Sequence, residues 1–313
     1  MEIKALLKLL TQIIYILCGL VSISTGIRGL KNEKAKIGTF LFWAILGIIF
    51  IFGPVIPYKV TGGLLVVLAI ITVTKQLHIG KFENISSQFK IAQSEKLKNK
   101  IFIPAVLIGI AAFLILQFKI GKTAIPPALG IGGGSLVALL AAAIIIKPKF
   151  SETNEDTSKL LMQIGATAIL PQLLAALGAV FTKAGVGKVI AASISSVVPT
   201  GNIFIGIVIY AIGMVIFTMI MGNAFAAFSV ITAGIGIPFI IKNGGNPAII
   251  GALGMTAGYC GTLMTPMAAN FNIVPASILE IKDKYGIIKV QAPMALLLLV
   301  THIILMLLLF GVK

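Results

Sequence analysis

The sequence is poor in charged residues, and especially in acidic ones. Of its 313 residues, 11% are charged and only 9 are Asp or Glu, whereas 58% are hydrophobic. About a quarter of the residues of a soluble domain are charged, so this chain has too little polar surface for a water-soluble globule. The composition excludes a cytosolic enzyme, a secreted domain and a nucleic-acid-binding module. It predicts an all-α integral membrane protein.

The acidic residues all lie outside the long apolar segments. They are Glu2, Glu33, Glu83, Glu95, Glu152, Glu155, Asp156, Glu280 and Asp283. A buried carboxylate that relays protons or binds Na⁺ is therefore not expected within this chain. The sequence remains compatible with a Na⁺ site made of backbone carbonyls, hydroxyl groups and Asn side chains. It is also compatible with coupling to H⁺. We expect no bound cofactor and no metal centre.

Cysteine and histidine are equally scarce. Cys18 and Cys260 lie inside apolar stretches and lack the spacing of a metal site. His302 is an imidazole at membrane depth, which either carries a proton near neutral pH or hydrogen-bonds to the neighbouring helix backbone. No zinc motif or phosphate loop is visible. We therefore do not expect the chain to be an enzyme. An intramembrane enzyme acting on lipid ranks third, after the two functions given at the end of this section.

The charge that is present is mostly positive, with 25 basic residues and a net charge of +16. Most of the lysines lie in short loops that flank apolar runs, where they orient helices and contact anionic lipid. Membrane lipid is therefore an expected partner and nucleic acid is not. Placing the N-terminus outside puts most of these lysines in the cytoplasm, including those of the polar, basic segment 75–100.

Long apolar runs dominate the rest, and the mean hydropathy is +1.09. A spanning helix needs about 20 mostly apolar residues. The N-terminal half, 1–147, is expected to hold five spans, at 9–27, 37–57, 60–76, 101–118 and 128–146. A polar loop at 148–159 separates it from a C-terminal half, 160–313. We expect about 8 to 10 spans in all.

The C-terminal half is apolar but rich in Gly, Pro, Ser, Thr and Asn. We expect a span at 160–181 with a kink at Pro171, a re-entrant hairpin at 182–202, and broken helices at 222–238 and 258–272. Irregular backbone at membrane depth is tolerated only where it is buried or lines a cavity. Broken helices of this kind form the binding sites of many secondary transporters.

These segments supply the candidate substrate-binding residues. They are Thr200, Asn202, Asn223, Ser229, Thr262, Thr265 and Asn270. Helix N-termini near Asn223 and Thr262 are expected to hold a carboxylate, because free N–H groups and the helix dipole favour anions. Lys183 or Lys188 either pairs with that carboxylate or extends to the membrane interface. Alternatively, the Gly, Ser and Thr residues of these segments bind no substrate and only allow helices to pack closely.

Two runs of the sequence resemble a known family. They are GIRGLKNEKAKIGTFLFWAILGIIFIFGPVIP and MGNAFAAFSVITAGIGIPFIIKNGGNPAIIGALGMTAGYCGTLMTPMAANFNIVPASIL. With the total length, they are similar to a family of bacterial inner-membrane proteins of unknown function, described as one subunit of a two-subunit 5-oxoproline permease. The resemblance covers essentially the whole chain, and 222–278 is its most specific part. It implies a multi-pass protein of the bacterial inner membrane with a second membrane subunit as partner.

A weaker likeness is to the ion-transporter superfamily, which includes gluconate, citrate and dicarboxylate carriers. The order of hairpin 182–202, span 203–221 and broken helix 222–238 is similar. The likeness implies that Asn223 and Thr262–Thr265 lie where such carriers bind a small carboxylate. Those carriers commonly have two such repeats, so either 258–272 completes the pair or a partner supplies the missing half.

The expected function is that of a subunit of a secondary transporter for a small organic anion, with 5-oxoproline as the best named candidate. Transport would occur by alternating access, as the hairpin region moves against 1–147. The alternative is a non-transporting membrane assembly subunit that stabilises a permease partner.

Overall fold

A computed structural model gives the fold of the chain. It describes residues 2–82, 87–121, 123–186, 189, 192–193, 202–279, 281–283 and 285–311. The chain forms two compact units, Met1–Gly165 and Ala166–Lys313. Most of the expected hairpin 182–202 lies outside the described residues.

The chain is an all-α, multi-pass membrane protein. Six helices in the described part are long and apolar enough to cross a membrane. They are Ile3–Gly29, Ile91–Gln117, Pro127–Ile146, Ile203–Met221, Ala224–Asn243 and Gly286–Leu308. Lys36–Phe52, Tyr58–Val73 and Pro247–Leu263 are shorter apolar helices. Helices dominate because a chain in lipid must pair its own backbone groups. The total of 8 to 10 spans requires the shorter helices to cross as well, and it stays a prediction.

The first unit contains the five apolar helices expected from the sequence. Its helices are α1 (Glu2–Gly29), α2 (Lys36–Phe52), α3 (Tyr58–Val73), α4 (Ser87–Leu97), α5 (Ile103–Gln117), α6 (Pro127–Ile146) and α7 (Phe150–Ile164). A 3₁₀ turn, Lys98–Phe102, joins α4 to α5. Strands β1 (Lys119–Ile120) and β2 (Thr123–Ala124) form a short antiparallel pair before α6.

Glycines set how closely α1 and α2 approach each other. A Cβ on Gly19 would lie 2.7 Å from the carbonyl oxygen of Gly47, and a Cβ on Gly47 would lie 2.7 Å from that of Gly19. Small residues at a helix crossing let backbones touch, which is the main source of helix association in lipid.

Most of the segment 148–159 belongs to helix α7, which begins at Phe150, and is not the expected polar loop. The backbone N–H of Lys149 donates to Glu152 at 3.1 Å, and this bond caps the start of α7. The polar face of α7 then pairs with α1, through Ser24 to Asn154 and Arg28 to Glu155. Hydropathy does not predict a helix such as α7, because the helix is polar and is stabilised by contacts between polar side chains.

The boundary between the units also differs from the expected one. The chain divides at Gly165, which has a φ of 53° and ends α7. A 3₁₀ turn, Gly165–Ala168, and helix α8 (Leu170–Lys183) follow. The expected single span with a kink at Pro171 is therefore wrong. Pro171 lies in the first turn of α8, where a missing N–H costs no helical hydrogen bond.

After α8, the described part of the second unit contains five more α-helices. They are α9 (Ile203–Met221), α10 (Ala224–Ile231), α11 (Pro247–Leu263), α12 (Ala269–Ile278) and, at the C-terminal end, α13 (Gly286–Leu308). Its core gathers Tyr210, Met214, Ile231 and Ile250 from α9, α10 and α11. A row of glycines on α11 lets α9 approach closely, since a Cβ on Gly261 would lie 2.5 Å from the carbonyl oxygen of Val215.

Candidate functional site

The first helix break lies between α9 and α10. Gly222 ends α9 with a φ of 67°, a left-handed conformation that suits glycine. Asn223 then caps α10, and its Oδ1 accepts hydrogen bonds from the N–H groups of Phe225 at 2.9 Å and Ala226 at 3.2 Å. An asparagine at this position satisfies N–H groups that the helix cannot pair itself.

Beyond this break the chain stays helical. A π-helical stretch, Thr232–Ile240, follows α10 and contains Pro238, and a 3₁₀ turn, Ile241–Asn243, follows in turn. The segment 222–238, expected to be a broken helix, is thus interrupted at Gly222–Asn223. After that interruption it stays helical and changes from α-helical to π-helical geometry at Thr232. A π segment accommodates Pro238, which has no N–H to donate.

The second break lies between α11 and α12, at 264–268. Pro266 has no N–H, so the carbonyl of Thr262 cannot make its helical bond four residues on. The Nδ2 of Asn272 takes that place and donates to the carbonyl oxygens of Thr262 at 2.8 Å and Thr265 at 2.7 Å. The hydroxyl of Thr265 donates to the carbonyl of Met219 at 2.9 Å and so joins the break to the end of α9.

A cavity of about 150 Å³ lies beside both breaks. Its walls are the first turns of α10 and α12 and the last turns of α11. The lining residues are Leu170, Gly222, Asn223, Ala224, Phe225, Tyr259, Thr262, Met267, Asn270 and Phe271. Asn223, Thr262 and Asn270 are the polar members with side chains suited to direct a ligand.

Three aromatic rings form the apolar part of this cavity. The ring centroid of Tyr259 lies 6.0 Å from that of Phe225 and 6.5 Å from that of Phe271. Ring faces of this kind pack against the apolar parts of a small molecule. The cavity therefore combines two side-chain amides and the hydroxyls of Thr262 and Tyr259 with an apolar wall.

The electrostatics of the cavity come from helix ends. The N-termini of α10 and α12 carry partial positive charge, and the C-termini of α9, at Gly222, and of α11 carry partial negative charge. None of the lining residues given above has a formal charge. Within the described part of the chain, no group of three His, Cys, Asp or Glu side chains could hold a metal ion. The arrangement suits a small polar molecule with one anionic group.

The structure brings three of the seven predicted site residues together, namely Asn223, Thr262 and Asn270. Thr265 is buried behind the cavity wall, where its hydroxyl also accepts from the N–H of Met267 at 3.2 Å. It therefore supports the break and does not line the cavity.

The other predicted residues lie elsewhere. Ser229 is exposed, and its hydroxyl donates to the carbonyl of Ala226. Asn202 is exposed at the start of α9, where its Oδ1 accepts from the N–H of Ile205 at 3.1 Å. Thr200 lies outside the described residues, as do Lys188 and most of the expected hairpin.

The helix N-terminus expected near Thr262 does not belong to the helix that contains Thr262. Thr262 lies in the last turn of α11, where the dipole is negative and disfavours a carboxylate. The N-terminus beside it belongs to α12, whose first turn contributes Asn270 and Phe271 to the cavity. Gly258 and Gly261 do not break the helix, because α11 runs through both and uses them to pack against α9.

Sequence reasoning missed the aromatic wall and the role of Asn272. One signal was available, because Tyr259 lies three residues before Thr262 and so shares its helix face. Phe225 and Phe271 gave no such signal, since their approach to Tyr259 depends on how three helices pack. The burial of Asn272 follows from the same packing.

Comparisons with known proteins give a family. No curated protein matches the chain, and no solved structure matches it. The sequence matches the DUF979 family, whose description is protein of unknown function, over residues 12–310. This match covers nearly the whole sequence, and the chain therefore belongs to the DUF979 family of proteins of unknown function.

Proposed function

We propose that this chain is a subunit of a secondary transporter for a small organic anion in the bacterial inner membrane. The observation that carries the proposal is the cavity at two helix breaks of a multi-pass membrane protein. Such breaks are costly in lipid unless they line a cavity. Secondary transporters place substrate sites at breaks of this kind, with helix N-termini directed at anionic groups.

5-Oxoproline is the first candidate substrate, on the basis of the family resemblance and of the chemistry of the cavity. It has one carboxylate, a lactam N–H, a lactam C=O and ring methylene groups. The carboxylate suits the N-termini of α10 and α12. The amides of Asn223 and Asn270 can donate to and accept from the lactam, and the rings around Tyr259 suit its methylene groups.

An uptake experiment tests this function. Radiolabelled 5-oxoproline is offered to a bacterial strain without its own uptake, which expresses this chain alone, the second membrane subunit alone, or both. We expect uptake only when both are present. Uptake by the second subunit alone would contradict a transport role for this chain. If both proteins reach the membrane without uptake, 5-oxoproline is not the substrate.

A second membrane subunit is supported by unpacked helix faces in the first unit. No residue of α5 is buried. Apart from each glycine's chain neighbours and the backbone of its own helix, no described atom lies within 4 Å of a Cβ placed on Gly62, Gly63 or Gly109. Glycines are typical of helix–helix contacts in membranes. The same faces also favour the second candidate function, a non-transporting assembly subunit. If the chain has that function, the purified partner should bind the substrate in its absence.

A further inference from the structure

The amide of Asn272 is buried with one half unpaired. The residue is 0% exposed, and its Nδ2 donates to two carbonyl oxygens. Within the described part of the chain, its Oδ1 has no hydrogen-bond partner. A buried acceptor without a donor is unfavourable, so this orientation of the amide is only half satisfied.

The two carbonyls that face Asn272 are unusual in their own right. The oxygen of Thr262 has no helical donor because Pro266 stands four residues on, and the oxygen of Thr265 lies in the non-helical segment before α12. Thr262 lies in the C-terminal turn of α11 and Thr265 directly after it, where the helix dipole is negative. Unwound carbonyls at a helix C-terminus are the ligands that transporters use for Na⁺.

A half-turn of the Asn272 amide exchanges its nitrogen and oxygen. The Oδ1 would then face the carbonyl oxygens of Thr262 and Thr265, so that three oxygens converge where a donor now lies. Three converging oxygens repel one another unless a cation lies between them. No Asp or Glu lies within 258–279, so the charge available at this break suits a monovalent ion and not a divalent one.

We propose that the break between α11 and α12 binds Na⁺ through the Oδ1 of Asn272 and the carbonyl oxygens of Thr262 and Thr265. Without the ion, the Nδ2 of Asn272 pairs the two carbonyls. With the ion, the amide is reversed. Thr262 also lines the cavity, so the ion offsets the negative end of α11 beside the anion site. Na⁺ binding needs no organic anion, and its test is therefore independent of the proposed transport function.

The test is Na⁺ binding by the purified, full-length chain in detergent, without any organic anion. Its melting temperature is measured as Na⁺ replaces choline at constant ionic strength, and again as K⁺ replaces choline. We expect a saturable rise with Na⁺ that K⁺ does not reproduce. The same rise with K⁺, or no rise with Na⁺, would overturn the proposal without any variant being made.

Substitutions at Asn272 identify the site. Asn272→Leu has a similar volume and no ligand oxygen, and it should abolish the rise with Na⁺. Asn272→Asp should bind radioactive Na⁺ about tenfold more tightly, because a full negative charge replaces a dipole. Because the binding of radioactive Na⁺ is measured directly, the test remains valid if the melting temperature of one variant cannot be compared. An unchanged response in both variants would overturn the assignment to Asn272.

Asn243 provides a matched control. Its Nδ2 also donates to a backbone carbonyl, that of Phe239 at 2.8 Å, but the residue is exposed. Asn243→Leu should keep the Na⁺ response of the unaltered chain. Loss of the response in this control as well would show a general effect of removing an amide and would overturn the site.

Discussion

Asn223 both caps a helix and lines the candidate cavity. Three helices of the second unit begin with an asparagine cap, at Asn202, Asn223 and Asn246, and of these Asn223 is the one that lines the cavity. Its Oδ1 already accepts from two N–H groups of α10. A bound carboxylate would compete for the same donors, so Asn223 must turn its amide when an anion binds there.

The first prediction concerns this cap. Asn223→Ala removes both side-chain hydrogen bonds and should lower stability by about 1 kcal/mol, whereas Asn223→Asp caps equally well and should not. Thermal unfolding of the purified chain in detergent measures the difference. Equal unfolding temperatures for the alanine and aspartate variants would contradict the capping geometry.

Residue identity alone gave part of this site. Asn223 and Asn270 could be selected from the sequence because an asparagine in an apolar segment is costly unless it has a role. Phe225 and Phe271 could not be selected, because phenylalanines in a membrane helix face lipid as readily as a cavity. The hydroxyl of Thr265 suggests a ligand contact in the sequence, but in the structure it donates to the carbonyl of Met219.

At the scale of elements, the packing of α9 against α11 depends on glycine. A Cβ on Gly261 would lie 2.5 Å from the carbonyl oxygen of Val215, so the backbones would have to separate. A Cβ on Gly251 of the same helix would lie 3.7 Å from the ring of Phe228, an ordinary contact. Helix α11 therefore contains one glycine that leaves no room for a Cβ, Gly261, and one that does, Gly251.

The second prediction uses this pair. Gly261→Ala should destabilise the second unit by roughly 1–3 kcal/mol through overpacking. Gly251→Ala should be neutral or stabilising by up to about 1 kcal/mol, because alanine favours helix over glycine. Melting curves of the two variants, followed by size-exclusion chromatography, measure the effect. A greater loss for Gly251→Ala would contradict the described contact of α9 and α11.

A second pair of elements, α1 and α7, is joined by charge. The guanidinium of Arg28 contacts the carboxylate of Glu155 at 2.6 Å and also donates to the carbonyl of Lys81. The hydrogen bonds from Arg28 to Glu155, and then the positive charge of Arg28, lower the pKa of Glu155 below its usual value against a smaller opposing effect of burial. The same guanidinium lies 4.6 Å from the ring centroid of Phe82. Arg28 therefore holds α7 and the segment around Lys81 against α1.

The third prediction follows from the lowered pKa of Glu155. Its stabilising contribution is fully present above the pKa of the unfolded chain, about 4.3, and is lost as the pH falls through the lower pKa of the folded chain. Limited proteolysis near Lys81 should therefore increase under acidic conditions. In Glu155→Gln, cleavage should be faster at neutral pH and should depend less on pH. An identical pH profile in both proteins would contradict the role of this pair.

The helices were predictable to different degrees. The apolar helices α2, α3 and α6 follow from hydropathy, since each must place an apolar run in lipid. Helix α7 does not, because it is polar and depends on Glu152 and on its contacts with α1. The two breaks follow from Gly222 and Pro266, but the direction of each helix end requires the structure.

At the scale of the whole molecule, the chain combines regular spans with breaks confined to its second unit among the described residues. The N-termini of α10 and α12 and the C-termini of α9 and α11 meet at one cavity there. The N-termini favour an anion, and the C-terminus of α11, with Asn272, favours Na⁺. Both ligands would contact Thr262, which provides a physical basis for coupling the transport of one to the other.

The central claim is that this cavity binds the transported anion, and one uptake measurement tests it most directly. The cells express the proposed second membrane subunit together with a variant of this chain. Asn223→Asp keeps the cap and adds a negative charge to the cavity, and Asn246→Asp makes the same change at a cap outside it. We predict that 5-oxoproline uptake falls more than about tenfold in Asn223→Asp, by charge repulsion, and is unchanged in Asn246→Asp, at equal abundance in the membrane. Normal uptake by Asn223→Asp would contradict the claim.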